Sequence, residues 1–377
     1  MSVAKLGVPF AERGGPVRGA LDLIAGHYPA FVFGGSVGSL LPVFHFHEAT
    51  PDLIEPVFAY LAENGYRAVG TEELSTLVRQ RRHPGPQTVM LAFDDALASL
   101  WSVAGPLLRR YHLRAVTYAI PWRVRDAPAV RPTIENGGGP DAAAVDAGED
   151  QFVTWPELRA LSASGLVEVQ SHTYTHSVVF TDDRVRDFVQ PSYARQSVFH
   201  RPRIGSVRDP AYVPVSALGH PIFGRRSRMS DGRRFLPDPA ACRALIDYVA
   251  ANGGPDFFER PDWLGDLRGR AGSIGGRWEA ERDREREIEE ELAISRDVLS
   301  LRLGTPVKHA CLPWGVSGAA TTRALQRVGY ETAFANRWRG RLAVAAGDEP
   351  YFLKRLHHRY VFSLPGRSRR TWQLRPT

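Results

Sequence analysis

The sequence predicts an α/β protein with a parallel sheet, and two observations lead to this prediction. Apolar runs of strand length alternate with longer amphipathic segments between Leu41 and His172, and parallel strands require such helical crossovers. The alternation stops near Ser177 and resumes near Arg284, which predicts a long insertion. A chain of 377 residues has room for one large α/β barrel or for two medium domains.

The first part of the pattern contains four predicted strands and four predicted helices. The first helix ends at Gly65, and Thr71 and Thr154 stand at helix starts, where a side-chain oxygen can accept from the first amide groups. The strands are expected over 41–47, 88–95, 114–120 and 166–172, and the helices over 51–65, 71–82, 96–112 and 154–165.

The second part contains two predicted helices, at 286–304 and 319–330, and three predicted strands, at 307–311, 331–336 and 351–362. The insertion has one predicted helix, at 238–254, among residues rich in Arg, Pro, Gly and aromatic side chains. We therefore expect an N-terminal extension over 1–40, two α/β segments over 41–177 and 284–363, an insertion serving as a lid or subdomain over 178–283, and a basic tail over 364–377.

The composition excludes some partners and some metal sites. The net charge is +7, yet only three of the 48 basic residues are lysines, a bias expected from GC-rich codon usage. The arginines are scattered among acids, so we expect no nucleic-acid partner. Two cysteines are too few for a disulfide framework or a cysteine-rich zinc site. Any metal ion is therefore expected on histidine and carboxylate side chains.

The location of the protein is predicted from two absences in the sequence. No run of about 18 apolar residues is present, so no transmembrane segment is expected. The first residues lack the basic start and the apolar block of a secretory signal. We therefore expect a cytoplasmic location.

Reactive side chains follow three predicted strands, at the ends where parallel barrels place their active sites. They are Asp94 and Asp95 after the second strand, Ser171–His176 after the fourth, and Leu312–Gly315 after the fifth. Each group also has a purely structural interpretation: the acids as a helix N-cap, the histidines as a solvated helix face, and the last group as a simple turn.

The combination of these groups favours chemistry over structure. His172 and His176 are spaced to share one face of a helix, which suits two ligands of one metal ion. One carboxylate completes a set of two histidines and one acid that leaves positions open for water and substrate. The adjacent carboxylate of the pair is then available as a general base.

These motifs together resemble the polysaccharide deacetylases, the carbohydrate esterase family 4-like group that shares the NodB homology domain. The resemblance is carried by TVMLAFDDA at 88–96, by WPELRALSASGLVEVQSHTYTH at 155–176, and by LPWG at 312–315 with GYETAFA at 329–335. It implies a distorted (β/α) barrel of about seven parallel strands, with the two α/β segments as its parts, and a divalent-metal-dependent amide hydrolase.

The resemblance also implies roles for individual residues. Asp94 matches the general base, and the metal ligands match Asp95, His172 and His176. Zn²⁺ is the default ion for one carboxylate and two imidazoles, and Co²⁺, Ni²⁺ or Fe²⁺ suit the same ligands.

Three further residues are expected near the substrate. Pro313 and Trp314 match the family's turn, in which the backbone N–H of Trp314 helps to hold the oxyanion. His47, at the end of the first strand, either lines the cleft or is an ordinary strand histidine.

The sequence departs from the family pattern at two positions. Ala96 stands where glycine is usual, so the turn after the two acids must avoid positive φ or be strained. Cys311 stands where many members carry an arginine beside the catalytic acid, and Arg355 in the last predicted strand is a candidate substitute.

The general acid is expected in the last predicted strand. His357 and His358 are consecutive there, so they should point to opposite faces and only one should face the cleft. The spacing favours His358 as the group that protonates the leaving amine. In members with only an arginine-containing strand at this point, neither histidine is catalytic.

The expected function is hydrolysis of an N-acyl group, with N-acetyl as the first expectation, from an amino sugar in a glycan or glycan precursor. One alternative is a deformylase or deacetylase of a lipid- or nucleotide-linked sugar or a small amide. Another is a catalytically impaired glycan-binding barrel, for which Ala96 and Cys311 are the only support.

The insertion is expected to supply a binding surface for an anionic sugar, because aromatic rings stack on sugar faces and arginines pair with phosphate or carboxylate groups. The alternative is that its aromatic residues form a small core. These residues are Tyr193, Phe199, Tyr212, Phe223, Phe235, Phe257, Phe258, Trp263 and Trp278.

Overall fold

The computed structural model of the chain describes residues 16–138, 151–272, 274–337 and 340–370. The start of the expected N-terminal extension, part of the loop before the fourth helix and the end of the expected basic tail lie outside the described residues. None of the described helices is long and apolar enough to cross a membrane.

The described residues form short strands and helices in alternation. The strands are β1 (Val43–Phe46), β2 (Arg67–Ala68), β3 (Thr88–Asp95), β4 (Ala115–Ala119), β5 (Val167–Ser171), β6 (Val178–Phe188), β7 (Pro221–Ser227), β8 (Phe235–Pro237), β9 (Gly276–Trp278), β10 (His309–Cys311), β11 (Thr332–Phe334) and β12 (Leu356–His357). The helices are α1 (Pro16–Ile24), α2 (Pro51–Glu63), α3 (Thr71–Gln80), α4 (Gly105–Arg110), α5 (Trp155–Ala163), α6 (Pro239–Ala251), α7 (Trp263–Ala271), α8 (Glu281–Leu303) and α9 (Ala319–Val328).

The chain forms two compact units. The larger, here called the barrel unit, comprises the described parts of 9–174, 292–317 and 325–377, and the second unit comprises those of 175–291 and 318–324.

The barrel unit is built on one parallel sheet in the order β11-β10-β5-β4-β3-β1-β12, with β2 paired to β3 beside it. A further parallel bridge joins Phe334 at the end of β11 to Leu353, three residues before β12, and brings the two edges of the sheet together. The predicted distorted barrel of about seven parallel strands is therefore confirmed.

The central strand explains why the sequence folds this way. All eight residues of β3 are buried, and β3 pairs with β1 on one side and β4 on the other. A strand covered on both faces reads as a continuous apolar run, and TVMLAF is such a run. Helix α5 shows the matching local signal, a capping box in which Thr154 and Glu157 satisfy the first amide groups.

The barrel interior changes from apolar to polar along the strands. Its apolar core includes Val43 of β1, Met90 and Ala92 of β3, Val116 and Tyr118 of β4, and Cys311, Phe334 and Leu353. Because strand side chains alternate between two faces, the next interior positions are His45 after Val43, Asp94 after Ala92, and Arg355 after Leu353. The carboxyl ends of the strands therefore carry a polar layer.

Two predicted elements of the barrel unit differ from the structure to different degrees. The helix expected over 96–112 is present over 98–110, with a π-helical stretch at Leu100–Ala104 followed by an α-helix at Gly105–Arg110. The last strand, expected over 351–362, was wrong: it is only two residues long and passes into a 3₁₀ helix at His358–Ser363.

The second unit has more regular structure than the one helix expected. Strands β6 and β7 form an antiparallel pair, β8 and β9 form another, and two helices, α6 and α7, accompany them. The pairing of β6 with β7 shifts register between Phe180 and Val185. Such an irregularity breaks the alternation by which a strand is found in a sequence.

The aromatic residues of the insertion mostly form a core, which favours the alternative interpretation over a sugar-binding aromatic surface. Six of the nine lie in or against one apolar cluster of the second unit; they are Tyr193, Phe223, Phe235, Phe257, Phe258 and Trp263. The ring of Trp278 packs on Phe235 with 5.2 Å between centroids, and Phe199 and Tyr212 lie outside that cluster.

Candidate active site

Asp94 occupies the last interior position of β3, and a guanidinium holds its carboxylate. Arg355 donates two hydrogen bonds, from Nη1 to Oδ1 and from Nη2 to Oδ2, each of 2.7 Å. Burial alone would raise the pKa of Asp94, but the charge and hydrogen bonds of Arg355 outweigh it and hold that pKa well below its usual range. Asp94 is therefore an ionised carboxylate with a fixed orientation.

Asp95 has the opposite electrostatic environment. Its carboxyl is 6% exposed, and burial together with the adjacent charge of Asp94 raises its pKa well above the usual value. A nearby cation reverses this balance, because it favours the charged carboxylate. The two adjacent acids thus differ in their electrostatic partners. Asp94 already has a cationic partner in Arg355, and Asp95 is suited to a bound cation.

The turn after these acids is strained. Asp95 has φ 68° and Ala96 has φ 52°, and left-handed backbone costs a non-glycine residue about 1–2 kcal/mol. The sequence left two possibilities at Ala96, a turn that avoids positive φ or a strained turn, and the structure has the strained turn. The backbone is held in place by a hydrogen bond of 2.9 Å from the N–H of Val153 to the carbonyl of Ala96.

His172 follows β5 directly and is oriented for binding through one nitrogen. Its Nδ1 lies 2.6 Å from the carbonyl oxygen of Cys311, and only a protonated Nδ1 can donate to that acceptor. Burial lowers the pKa of His172 to about 4, so the ring is neutral near pH 7 and Nε2 keeps its lone pair. Nε2 lies 3.5 Å from Oδ1 of Asp95. A hydrogen bond that fixes the tautomer in this way is typical of a metal-binding histidine.

The segment that carries the two histidines is not a helix, contrary to the prediction. Strand β5 ends at Ser171 and β6 begins at Val178, and Thr173 and His176 both have positive φ, 65° and 52°. The chain from His172 to His176 therefore contains two left-handed residues rather than a helical turn.

The three predicted ligands are all buried, and two of them belong to the barrel unit. Nε2 of His172 and Oδ1 of Asp95 lie 3.5 Å apart there, and His176 stands at the start of the second unit. Two imidazoles and one carboxylate are a donor set that divalent transition-metal ions prefer. The donor types present therefore fit a divalent cation.

Two histidines of the first strand region, His45 and His47, lie near Asp94 and interact with its charge. His47 is half exposed, with Nε2 3.8 Å from Oδ2 of Asp94. His45 is partly buried, its enclosed Nδ1 has no hydrogen-bond partner, and burial lowers its pKa well below the usual value. The rings of His45 and His357 lie 5.6 Å apart, in register across the β1–β12 pair.

His358 lies in a more confined place. Its ring stacks on Phe46 at 5.1 Å, and burial lowers its pKa. The rings of His357 and His358 are only 4.0 Å apart, so the expectation that they point to opposite faces was wrong. The reason is that β12 ends at His357 and the chain turns into a 3₁₀ helix there.

The predicted oxyanion turn is a single 3₁₀ turn at Pro313–Gly315, in which Trp314 has φ 55°. Gly315 also has positive φ, 68°, and a Cβ there would lie 2.3 Å from Nδ2 of Asn336. No other residue fits at Gly315 without displacing Asn336. The turn is therefore held by the packing of its neighbours.

Taken together, the fold and the site define a class of protein: a parallel (β/α) barrel with a clamped acid and a possible metal-binding group at the carboxyl ends of its strands. This is the arrangement of a hydrolytic barrel enzyme.

The family is indicated by sequence comparison. Residues 81–197 match the family model of the polysaccharide deacetylases. Over 117 residues the chain is 32% identical to the poly-β-1,6-N-acetyl-D-glucosamine N-deacetylases of Escherichia coli strain K12 and of Escherichia coli O157:H7. Each match covers 31% of this chain and 16% of the relative. The resemblance to the polysaccharide deacetylases is confirmed, and these relatives are hydrolases of amide bonds, as predicted for this chain.

A solved structure supports the fold. The chain is similar to the deacetylase domain of BpsB from Bordetella bronchiseptica, with a TM-score of 0.50 and 16% sequence identity, over 85% of this chain and 96% of that one. At this identity the likeness shows the shared barrel fold alone.

Sequence reasoning missed two residues near the site. His45 stands two residues after Val43 in β1, so strand alternation could have placed it on the interior face with Asp94. It was not singled out, because it is a single polar side chain in an apolar run. Glu291 is buried in α8 and accepts hydrogen bonds from the N–H and Oγ1 of Thr175, the latter at 2.7 Å. That contact joins residues 116 apart in sequence, so no local pattern predicts it.

Proposed function

We propose that this protein is a divalent-metal-dependent N-deacetylase that removes acetyl groups from N-acetylglucosamine units of a glycan. The observation that carries the proposal is the pair of adjacent acids with opposite environments: Asp94 bound by Arg355, and Asp95 beside the neutral imidazole of His172. The match to the polysaccharide deacetylase model and to two N-acetylglucosamine polymer deacetylases supports the substrate class.

The proposed chemistry divides the work among the residues described above. Asp95, His172 and His176 would hold the cation, which supplies Lewis acidity for amide hydrolysis. Asp94 accepts the proton of the attacking water, and Arg355 keeps that carboxylate ionised and aimed. The backbone N–H of Trp314 is proposed to donate to the oxyanion that forms at the amide carbon.

The proton for the leaving amine is proposed to come from His47 rather than from His358. The ring of His47 is about half exposed, and its Nε2 lies 3.8 Å from Asp94, so it can reach both the base and a substrate. The ring of His358 is stacked on Phe46 and has less freedom to approach a leaving group. A general acid contributes about 10²–10⁴-fold in rate, so His47→Ala should lower kcat by that factor and His358→Ala by much less.

The test of the proposed function is release of acetate, with formation of free amines, from N-acetylglucosamine oligomers in β-1,6 and β-1,4 linkage. The purified chain should be active with a divalent ion, lose activity to a chelator, and regain it when metal is restored. A protein that binds metal yet releases no acetate from any of these oligomers would overturn the proposal.

Three variants separate the proposed base from the proposed metal ligands. Asp94→Asn should abolish turnover while bound Zn²⁺ stays near the wild-type amount, because a base is removed and no ligand is. Asp95→Asn and His176→Ala should lose bound metal as well as activity. Equal metal loss in Asp94→Asn would show that the roles of the two acids are exchanged.

The two alternative functions are kept as outcomes of this test. Activity on a lipid- or nucleotide-linked amino sugar, but on none of the oligomers, would favour a glycan precursor as substrate. Glycan binding without turnover would favour an impaired barrel. The position of Arg355 weakens that last alternative, since a guanidinium is present beside Asp94 although Cys311 stands where the family's arginine is usual. A cytoplasmic location stays a prediction, which cell fractionation would test.

A further inference from the structure

Cys311 brings a thiol to the reactive end of the barrel. It is the last residue of β10 and is fully buried. Its thiol donates to the backbone carbonyl of Leu312 at 4.0 Å, and burial, together with the nearby acids, raises the pKa of that thiol well above the usual value. The backbone carbonyl of the same residue accepts from Nδ1 of His172 at 2.6 Å. One residue thus lies beside both the proposed base and a proposed metal ligand.

These contacts create a second group of potential ligands inside the barrel unit. The carboxylate of Asp94, the imidazole of His172 and the thiol of Cys311 are all buried, and their ligand atoms lie within 4.8 Å of one another. Ligand atoms around one tetrahedral ion lie about 3.5 Å apart. Side-chain movements of about an ångström therefore bring these three ligand atoms within the distances that one ion requires. This group contains sulfur, whereas the group of Asp95, His172 and His176 contains only nitrogen and oxygen.

We propose that Asp94, His172 and Cys311 form a second, overlapping site for a thiophilic divalent cation, such as Cd²⁺ or excess Zn²⁺, and that its occupation inhibits the enzyme. The inhibitory part rests on the proposed function, because it requires Asp94 to be the base. The binding part stands by itself. Both groups use His172, so an ion in the second site competes for a ligand of the first and also engages the carboxylate of Asp94.

The ligand types favour a soft ion here, and the charges around the site accept a divalent one. Thiolate ligands select thiophilic ions, while carboxylate and imidazole sets accept harder ones. When the ion binds, the sulfur–hydrogen bond of Cys311 breaks, the proton leaves to solvent and the thiolate becomes a ligand. Two negative ligands, Asp94 and the thiolate, together with the charge of Arg355 beside them, leave a net charge of about +1 around a divalent ion. That balance is more favourable than a buried dication on neutral ligands.

The test is a titration of the metal-free full chain with Cd²⁺. It is monitored by the thiolate-to-cadmium charge-transfer absorption band in the ultraviolet. The wild type should develop this band as about one equivalent binds. Cys311→Ser and Cys311→Ala should lose the band and bind Cd²⁺ at least about tenfold more weakly. The matched control is Cys242→Ser, which removes the other cysteine of the chain and should keep both the band and the affinity.

Two further variants separate the two sites. His176→Ala removes a ligand of the first group only, so it should keep the cadmium band. Asp94→Asn should weaken the cadmium band, because this substitution exchanges a charged ligand for a neutral one. Inhibition of deacetylation by Cd²⁺ should need at least about tenfold more ion in Cys311→Ser than in wild type.

Three results would overturn the proposal: Cd²⁺ bound to wild type without the band, a band kept by both Cys311 variants, or a band lost in Cys242→Ser. If the chain has no deacetylase activity, the spectroscopic results still decide whether the second site exists. Failure of the proposed function and failure of this proposal are therefore distinguishable.

Discussion

Both units of the molecule bury bidentate ion pairs, and the surroundings of those pairs differ. In the second unit, Arg228 donates to both oxygens of Glu279, at 2.7 and 2.9 Å. Glu279 also accepts from the backbone N–H of Arg234 at 2.6 Å. In the barrel unit, Arg355 holds Asp94 equally well.

The neighbours of the two pairs show which one marks a site. Around Asp94 lie groups whose pKa values are displaced: burial raises that of Asp95 and lowers those of His172 and His45. The pair of Arg228 and Glu279 is surrounded instead by further charged groups, and burial lowers the pKa of Arg234 among them to about 10, so that Arg234 stays charged near pH 7. A buried ion pair by itself therefore indicates structure, whereas a neighbour that burial leaves neutral near pH 7, such as His172, indicates function.

The largest expected effect tests the structural side of this comparison. Glu279→Ala leaves Arg228 buried without its main partner, which costs about 3–5 kcal/mol. We expect a loss of this size in the free energy of unfolding, measured by urea denaturation monitored by circular dichroism. The matched control is Asp262→Ala, which breaks the exposed pair with Arg260 and should cost under about 1 kcal/mol. Equal losses in the two variants would remove the distinction between the buried and the exposed pair.

The next effect tests the functional side. Arg355→Ala removes the two donors that orient Asp94, and we expect kcat/KM to fall by about 10²–10³-fold, the range for losing a fixed electrostatic partner in an active site. Removing the guanidinium also raises the pKa of Asp94, so the acidic limb of the pH–rate profile should move to higher pH. Arg355→Lys keeps the charge without the fork and should recover part of both effects. A fall in stability with no shift of that limb would assign Arg355 a structural role only.

The smallest effect concerns pH and a barrel histidine outside the site. His309 is buried, with Nδ1 2.8 Å from Oγ1 of Thr332, and burial lowers its pKa from 6.5 to about 4. Between these two values the unfolded chain takes up a proton that the folded chain does not. The free energy of unfolding should therefore fall as pH drops from 6.5 to about 4, by at most about 3 kcal/mol for this residue.

His309→Gln should flatten this pH dependence, measured by urea denaturation across the window. The exposed His112 supplies the control, and Asn suits its left-handed φ of 52°. His112→Asn should leave the slope of stability against pH as in wild type. An unchanged slope in His309→Gln would show that other groups account for the acid lability.

Much of the barrel was predictable because its signals are local. The apolar run of β3 and the cap of α5 each lie within a few residues, and so do the pair Asp94 and Asp95 and the pair His172 and His176. The errors lie where the cause is distant. The register shift of β6 and the short β12 depend on partner strands, which a single segment does not reveal.

The site itself divides in the same way. The sequence by itself determined which side chains carry chemistry and that they stand at strand ends, because strand alternation and motif spacing are properties of the chain. Only the tertiary structure decided that Arg355 clamps Asp94 across 261 residues, and that Cys311 lies near both Asp94 and His172. It also decided that left-handed residues, rather than a helix, carry His176. Those facts depend on which strands become neighbours when the sheet closes, and that arrangement follows from packing of the whole barrel.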